Sequence, residues 1–180
     1  ETDAMVYGPA SCMGKAEEAG IPEARRHAVA WDDSFTIGDL QITVVPALDP
    51  MAEGCNGYIL QTGNTTLLHC GDSLYFDGFA EIGKRWTLDA LCVSVGLNPP
   101  GKTFYMDEAD AARAARDSRT RTLIPQHFDL WQGFTLDPRR VRTLTTWYAP
   151  RTKVTHGSRR SECRTNRSDG CRASALSITT

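Results

Sequence analysis

The sequence predicts an α/β fold with a mixed sheet, and three observations lead to that prediction. Segments with the two-residue period of strands alternate with segments of helical period along most of the chain. Two of the strand-like segments are joined by a two-residue link, so part of the sheet is expected to be antiparallel. Residues 88–95 are apolar nearly throughout, which is typical of a strand covered on both faces.

The early strands follow from local patterns. Residues 39–45 alternate apolar and polar side chains, as a strand with one buried face does. Residues 58–62 and 65–69 are strand-like and are separated only by Gly63-Asn64, which suits a tight hairpin turn. We therefore expect one antiparallel hairpin within the sheet.

Three segments predict helices between and after the strands. Residues 76–85 place apolar side chains at helical spacing. Asp107 precedes an alanine-rich segment and can accept hydrogen bonds from the free amides of its first turn. The pair Asp137-Pro138 indicates another helix start, because proline suits the first helical position, and this helix is predicted to reach about residue 147.

Composition and charge exclude several classes of protein. The chain has 180 residues, about one domain, and 41% of them are hydrophobic, which is enough for a packed core. Its formal net charge of -2 gives no general attraction to nucleic acid, and no apolar run approaches the roughly 20 residues that span a bilayer. The six cysteines lack CxxC spacing, which favours reduced thiols and a cytoplasmic protein.

The last part of the chain has a different composition. Residues 151–180 hold seven basic and two acidic side chains, which gives this part a net charge of +5. Residues 155–180 show neither period and few aliphatic side chains, so we expect a domain at 1–154 and a basic tail at 155–180 that is disordered or non-native. The tail contains no aromatic residue, so nucleic acid is not the expected partner.

Two predicted strand ends carry side chains suited to metal binding. Asp72 follows Gly71 after the second hairpin strand, and His127 follows the short apolar run at 123–125. The carboxyl ends of strands hold the sites of α/β folds, and a carboxylate and an imidazole are natural metal ligands. Each residue also has an ordinary interpretation, as a turn or cap residue for the aspartate and as a structural hydrogen-bonding group for the histidine.

The other histidines are weaker candidates as ligands. His69 is interpreted as a structural group or a residue beside the ligands, because it ends the hairpin strand three residues before Asp72. His27 adjoins Arg25 and Arg26 and is expected at the surface.

Seven segments occur in a characteristic order along the chain: YGPASC at 7–12, the strand at 39–47, GYIL at 57–60, HCGDS at 69–73, NPPG at 98–101, YMDEADA at 105–111 and IPQHFDLW at 124–131. In this order they resemble the metallo-β-lactamase superfamily in its branch of L-ascorbate-6-phosphate lactonases. The resemblance covers about residues 5–154 and corresponds to the C-terminal half of the family's fold.

The resemblance implies an αββα sandwich with a divalent metal, Mn or Zn, and hydrolysis of a small phosphorylated lactone or ester. By motif, Asp72 would be a catalytic, metal-bridging carboxylate and His127 a metal ligand. Asn98, Asp129 and Asp49 would line the substrate pocket.

The sequence also departs from the family pattern. The family's leading metal motif, HxHxDH, does not occur in it. Leu74 lies at a position that can be histidine in the family, and Lys102 lies where the lactonase motif has an apolar residue. We therefore expect a truncated copy that holds half of the metal site, exposes one sheet face, tends to form homo-oligomers and is inactive alone. A non-catalytic remnant or binding module, and a phosphodiesterase or nuclease of the same superfamily, remain alternatives.

Overall fold

The computed structural model describes residues 3–130, 133, 135–149, 151–155 and 176–178. Within these residues the chain forms ten strands and four α-helices, arranged as two sheets with helices on the outside of the larger one. In chain order the elements are β1 (Met5–Gly8), α1 (Ala10–Glu18), β2 (Arg26–Ala28), β3 (Ser34–Ile37), β4 (Leu40–Pro46), β5 (Asn56–Thr62), β6 (Thr65–His69), α2 (Gly78–Arg85), β7 (Ala90–Ser94), α3 (Glu108–Asp117), β8 (Thr122–Gln126), α4 (Pro138–Tyr148), β9 (Lys153–Val154) and β10 (Leu176–Ile178).

The larger sheet is mixed, as predicted. Its strand order is β3-β4-β5-β6-β7-β8-β9, with antiparallel pairs up to β6 and parallel pairs from β6 to β9. The predicted hairpin is formed by β5 and β6, and Gly63 in its turn has a φ of +53°, a conformation that glycine adopts without strain. The carboxyl ends of β4, β6, β7 and β8 therefore lie at the same edge of the sheet.

Helices α2, α3 and α4 cover one face of this sheet. Leu68, Leu91 and Leu123 from three neighbouring strands are fully buried beneath them, in a core that also receives side chains from each helix. The packing of α2 against the end of α3 is tight at Gly83. A Cβ atom there would lie 2.5 Å from the carbonyl oxygen of Asp117, so this position has no room for a side chain.

The two predicted helix starts are confirmed by their capping bonds. The Asp107 side chain accepts a hydrogen bond from the Asp110 amide at 2.8 Å, and α3 begins at the next residue. The Asp137 side chain accepts one from the Arg139 amide at 3.0 Å, and α4 begins with Pro138. Both carboxylates satisfy amides that have no partner inside their helix.

A three-stranded sheet, in the order β10-β1-β2, lies against part of the opposite face. The Tyr58 hydroxyl donates to the Tyr7 carbonyl at 3.2 Å and so connects the two sheets. The Tyr7 ring stacks between His27, at a centroid distance of 4.6 Å, and Phe35, at 4.3 Å. This stacking leaves His27 half-buried, so the expectation of a surface histidine is wrong.

The small sheet leaves the rest of that face partly uncovered. Strand register places Leu67, Ala90 and Ile124 on the same face as the buried residues Ile42 and Val44, yet these three side chains are only half-buried. An apolar strip on β6 to β8 is therefore in contact with solvent. The prediction of an exposed sheet face agrees with this part of the structure.

The predicted tail at 155–180 falls mainly outside the described residues. Its described part is Thr155 and the segment Leu176–Ile178, which forms β10 and pairs antiparallel with β1. None of the helices in the described part of the chain combines the length and the apolar character needed to cross a bilayer.

Candidate metal centre

A cavity of about 400 Å³ lies at the carboxyl ends of the parallel strands. Asp72, from the loop after β6, and His127, from the residue after β8, both line it. Asp129 borders the same cavity. The structure thus brings together at one edge of the sheet the two residues that the sequence analysis proposed as metal ligands.

The Asp72 carboxylate is held in a defined orientation. Gly71 adopts a φ of +60°, so the chain turns sharply at the end of β6. Ser94 is 1% exposed, and its hydroxyl oxygen lies 2.7 Å from Asp72 Oδ1 and 2.9 Å from the Gly71 carbonyl oxygen. Because both of these oxygens are acceptors, the single Ser94 proton is shared between the loop backbone and the carboxylate.

His127 has an unusual backbone conformation and a buried ring nitrogen. Its φ of +67° lies in the left-handed region, which a non-glycine residue adopts at a cost in free energy. Its ring lies 4.7 Å from the ring of Tyr105, and its Nδ1 is buried without a hydrogen-bond partner among the described residues. Since a buried nitrogen without a partner is unfavourable, this imidazole fits a cation as its missing partner.

His69 lies beside these residues and has partners on both ring nitrogens. Its Nδ1 lies 3.1 Å from the Gly71 amide nitrogen, and its Nε2 lies 3.2 Å from Gln126 Nε2. Burial lowers the pKa of His69, and the nearby Asp72 carboxylate acts in the opposite direction. The neutral imidazole is the form that these surroundings favour.

The three predicted pocket residues have different positions. Asp129 is exposed at the cavity that Asp72 and His127 line. Asp49 lines a neighbouring cavity of about 220 Å³, which Asp72 also borders. Asn98 lines neither cavity, so its predicted contact with substrate has no support in this geometry.

Asn98 instead shapes a loop. Its Oδ1 accepts hydrogen bonds from the amides of Phe104 and Tyr105 at 2.7 and 3.0 Å, and its Nδ2 donates to the Tyr105 carbonyl at 2.9 Å. These bonds fix the backbone of Tyr105, whose ring packs against His127. The effect of Asn98 on the site is therefore indirect.

The smaller cavity has an acidic and thiol-bearing wall. Burial, and then the nearby Asp49 carboxylate, raise the pKa of Cys55 to about 11, so this thiol stays protonated at neutral pH. Asn56 also lines the cavity and is 5% exposed. The Cys55 side chain thus contributes a neutral thiol to the wall of the cavity.

The sequence analysis missed Ser94 and Gln126. Ser94 is a polar residue at the end of an otherwise apolar strand, and Gln126 directly precedes His127. Either feature could have drawn attention to these residues. Their partners, however, are Gly71 and Asp72 in the loop after β6 and His69 at the end of β6, and only the order and register of the strands bring them together.

The number of ligands within the described chain is small. No set of three or more His, Cys, Asp and Glu side chains is arranged there to hold a metal ion. Asp72 and His127 are therefore two candidate ligands, whereas a catalytic zinc normally has three protein ligands and a water.

The layered sheets and the polar cavity at the strand ends define an α/β protein of the metallo-β-lactamase fold. Residues 1–128 match the sequence profile described as the beta-lactamase superfamily domain, and the chain belongs to this family. Probable L-ascorbate-6-phosphate lactonases named UlaG, from Escherichia fergusonii and Salmonella choleraesuis, are each 29% identical to it over 174 residues. These alignments cover 86% of this chain and 49% of each relative, so the chain spans about half the length of the curated relatives it matches.

Solved structures share the fold. The metallo-β-lactamase fold protein YhfI from Bacillus subtilis has a TM-score of 0.64 and 17% identity, with 84% of this chain and 61% of that protein covered. Igni18, a metallo hydrolase from Ignicoccus hospitalis, has a TM-score of 0.69 and 14% identity, with 97% and 68% covered. The resemblance predicted from the sequence motifs is confirmed at the level of superfamily and lactonase-like branch.

Proposed function

We propose that this chain is the C-terminal part of a metal-dependent hydrolase that opens a lactone or cleaves an ester, with a small phosphorylated lactone as the leading substrate class. The observation that carries the proposal is the meeting of Asp72 and His127 at one cavity in a chain of this family. The names of the UlaG relatives supply the substrate class.

Asp72 and His127 would hold the metal, with Mn and Zn as the two candidates. A bound divalent metal would polarise the carbonyl or phosphoryl oxygen and lower the pKa of a water molecule to near neutrality. Ser94 holds the orientation of the Asp72 carboxylate by donating a hydrogen bond to Oδ1. Asp129 and Asp49 border the two cavities next to Asp72, where their carboxylates can accept hydrogen bonds from substrate hydroxyl groups.

The chain alone holds half of such a site. Two protein ligands bind a catalytic metal less tightly than three, so the remaining ligands would come from another segment of the whole protein. The isolated chain is therefore expected to bind Mn²⁺ or Zn²⁺ weakly and to turn over no substrate. Isothermal titration tests this expectation, and submicromolar binding at one site would contradict it.

The direct test of the function compares two variants with a matched control in the whole protein. Asp72→Asn and His127→Gln each remove a metal ligand, and kcat/KM for a phosphorylated lactone should fall by at least about 100-fold. Asp77→Asn makes the same chemical change at an exposed position outside both cavities and should leave the rate unchanged. Wild-type rates in both site variants would overturn the proposal.

The same assay separates the alternatives. Cleavage of bis(p-nitrophenyl) phosphate that is lost in Asp72→Ala, without any lactone hydrolysis, would assign a phosphodiesterase. Absence of metal binding and of both activities in the whole protein would assign a non-catalytic binding module.

Cellular location and assembly remain proposals. The described cysteines, Cys12, Cys55, Cys70 and Cys92, are free thiols, which supports a reducing compartment such as the cytoplasm. The half-buried strip formed by Leu67, Ala90 and Ile124 supports association with a second copy or with another part of the protein.

A further inference from the structure

One imidazole contacts the residues that directly precede both proposed metal ligands. His69 Nδ1 lies 3.1 Å from the amide nitrogen of Gly71, the residue before Asp72. His69 Nε2 lies 3.2 Å from the side-chain amide of Gln126, the residue before His127. The loop after β6 and the end of β8 are thus joined through a single side chain.

The chemistry of these contacts fixes the position of the His69 proton. A backbone amide can only donate, so Nδ1 must be the unprotonated nitrogen. A neutral imidazole then carries its proton on Nε2, and Nε2 donates to Gln126. The Gln126 amide must therefore turn its oxygen toward His69, which is the orientation that completes the hydrogen-bond network.

We propose that His69 is a positioning residue that, as the Nε2–H tautomer, fixes the spacing between Asp72 and His127 by bonding Gly71 and Gln126 at the same time. This inference rests on the proposed metal-binding role of Asp72 and His127. His69 itself does not line the cavity of those two residues.

The backbone at both ends of this connection supports a positioning role. Gly71, with a φ of +60°, has both of its backbone polar groups bonded to side chains, the amide to His69 and the carbonyl to Ser94. His127, with a φ of +67°, follows directly after Gln126. A left-handed histidine persists where surrounding contacts hold it, and the contact of His69 with Gln126 fixes the residue directly before His127.

The position of His69 in the sheet explains how it reaches both partners. Register pairs His69 with Cys92 and Cys92 with Ile124 across three parallel strands. His69 therefore lies on the face that the helices do not cover, as does Gln126, two residues after Ile124 on β8. Burial lowers the pKa of His69, which is consistent with the neutral form that the two bonds require.

The first experiment measures the tautomer directly. Two-bond ¹H–¹⁵N spectra of the metal-free chain at pH 7.5 report which nitrogen of His69 carries the proton. We expect the Nε2–H tautomer together with slow hydrogen exchange at the Gly71 amide. A His69 side chain protonated on Nδ1 would overturn the inference regardless of metal binding.

The second experiment measures whether the connection matters to the metal site. His69→Asn retains an acceptor for the Gly71 amide and loses the bond to Gln126, whereas His69→Leu loses both bonds. We expect the Kd for Zn²⁺, measured by isothermal titration of the full chain, to rise about 10- to 100-fold in His69→Leu and by less in His69→Asn. His27→Asn, at a half-buried histidine outside the cavity, is the matched control and should leave the Kd unchanged.

The outcomes separate this inference from the proposed function. Equal Zn²⁺ affinity in wild type and both His69 variants would overturn the positioning role and leave the metal site intact. Absence of Zn²⁺ binding in the wild-type chain would overturn the proposed metal site and, with it, this inference. Thermal unfolding of each variant shows whether a changed Kd reflects a lost fold, and His69→Asn keeps the test valid if His69→Leu does not fold.

Discussion

The two faces of the seven-stranded sheet are covered to very different degrees. Beneath the helices, Leu68, Leu91 and Leu123 have no exposed surface. On the other face of the same strands, the open face, Leu67 and Ile124 are only half-buried. The polar side chains that organise the candidate metal centre belong to this second face, so the site lies on the side of the sheet whose cover is incomplete.

The largest expected difference between the faces is in packing energy. Leu91→Ala removes a fully buried side chain and should lower the free energy of unfolding by about 3 kcal/mol. Leu67→Ala makes the same change on the open face, where water already reaches the side chain, and should cost about 1 kcal/mol. Urea denaturation of both variants measures this comparison, and equal losses would show that the open face is covered in solution.

The Tyr58 hydroxyl connects the small sheet to the open face of the larger sheet. Tyr58→Phe removes the hydroxyl that donates to the Tyr7 carbonyl and leaves this half-buried acceptor without that partner. The expected loss is about 1 kcal/mol in the free energy of unfolding. Tyr148→Phe, at a side chain that is 48% exposed, is the control and should change the urea midpoint very little. An unchanged midpoint in Tyr58→Phe would mean that this bond does not hold the sheets together.

The stability of the helices that cover the buried face depends in part on the side chains that cap their N-termini. Asp107→Ala removes the acceptor for the Asp110 amide at the start of α3 and should cost about 1 kcal/mol. Asp77→Ala is matched to it, because Asp77 precedes α2 without forming a side-chain capping bond. Thermal unfolding should therefore show a lower Tm for the first variant only. A similar fall in both would assign the effect to lost surface charge.

The open face should also give stability a dependence on pH. Burial lowers the pKa of His69 in the folded chain below the usual value of 6.5, so the unfolded chain takes up this proton first as the pH falls. Since the unfolded state then binds more protons, stability decreases from about pH 6.5 down to the lowered pKa and is restored at higher pH. His69→Gln should flatten this part of the profile in urea unfolding between pH 7.5 and 5.5. An identical slope in the variant would assign the dependence to another group.

Sequence patterns predicted those parts of the molecule whose determinants are local. The hairpin of β5 and β6 depends on a two-residue turn, and helix α3 depends on the cap at Asp107, so each is encoded within a short segment. The pairing of β1 with β2 and β10 was not predicted, because short strands separated along the chain have no local signal.

The candidate site shows the same division. Asp72 and His127 were proposed because each lies within three residues of a strand end, and the structure places both at one edge of the sheet. The bonds of Ser94 to the Asp72 loop depend on which residues face each other across the sheet. Asn98 was assigned to the pocket from a motif, but its amide is used by the backbone of the loop that follows it.

The absence of space at Gly83 links two distant parts of the chain. A methyl group there would collide with the carbonyl of Asp117 and with Ser118, the residues that end α3 and lead into β8. Because β8 leads to His127, a displacement caused by a larger residue on α2 would reach the candidate metal centre through this strand. Gly83 therefore has little freedom to vary although it lies far from the candidate metal centre. A substitution at this position would require a compensating change where α3 ends.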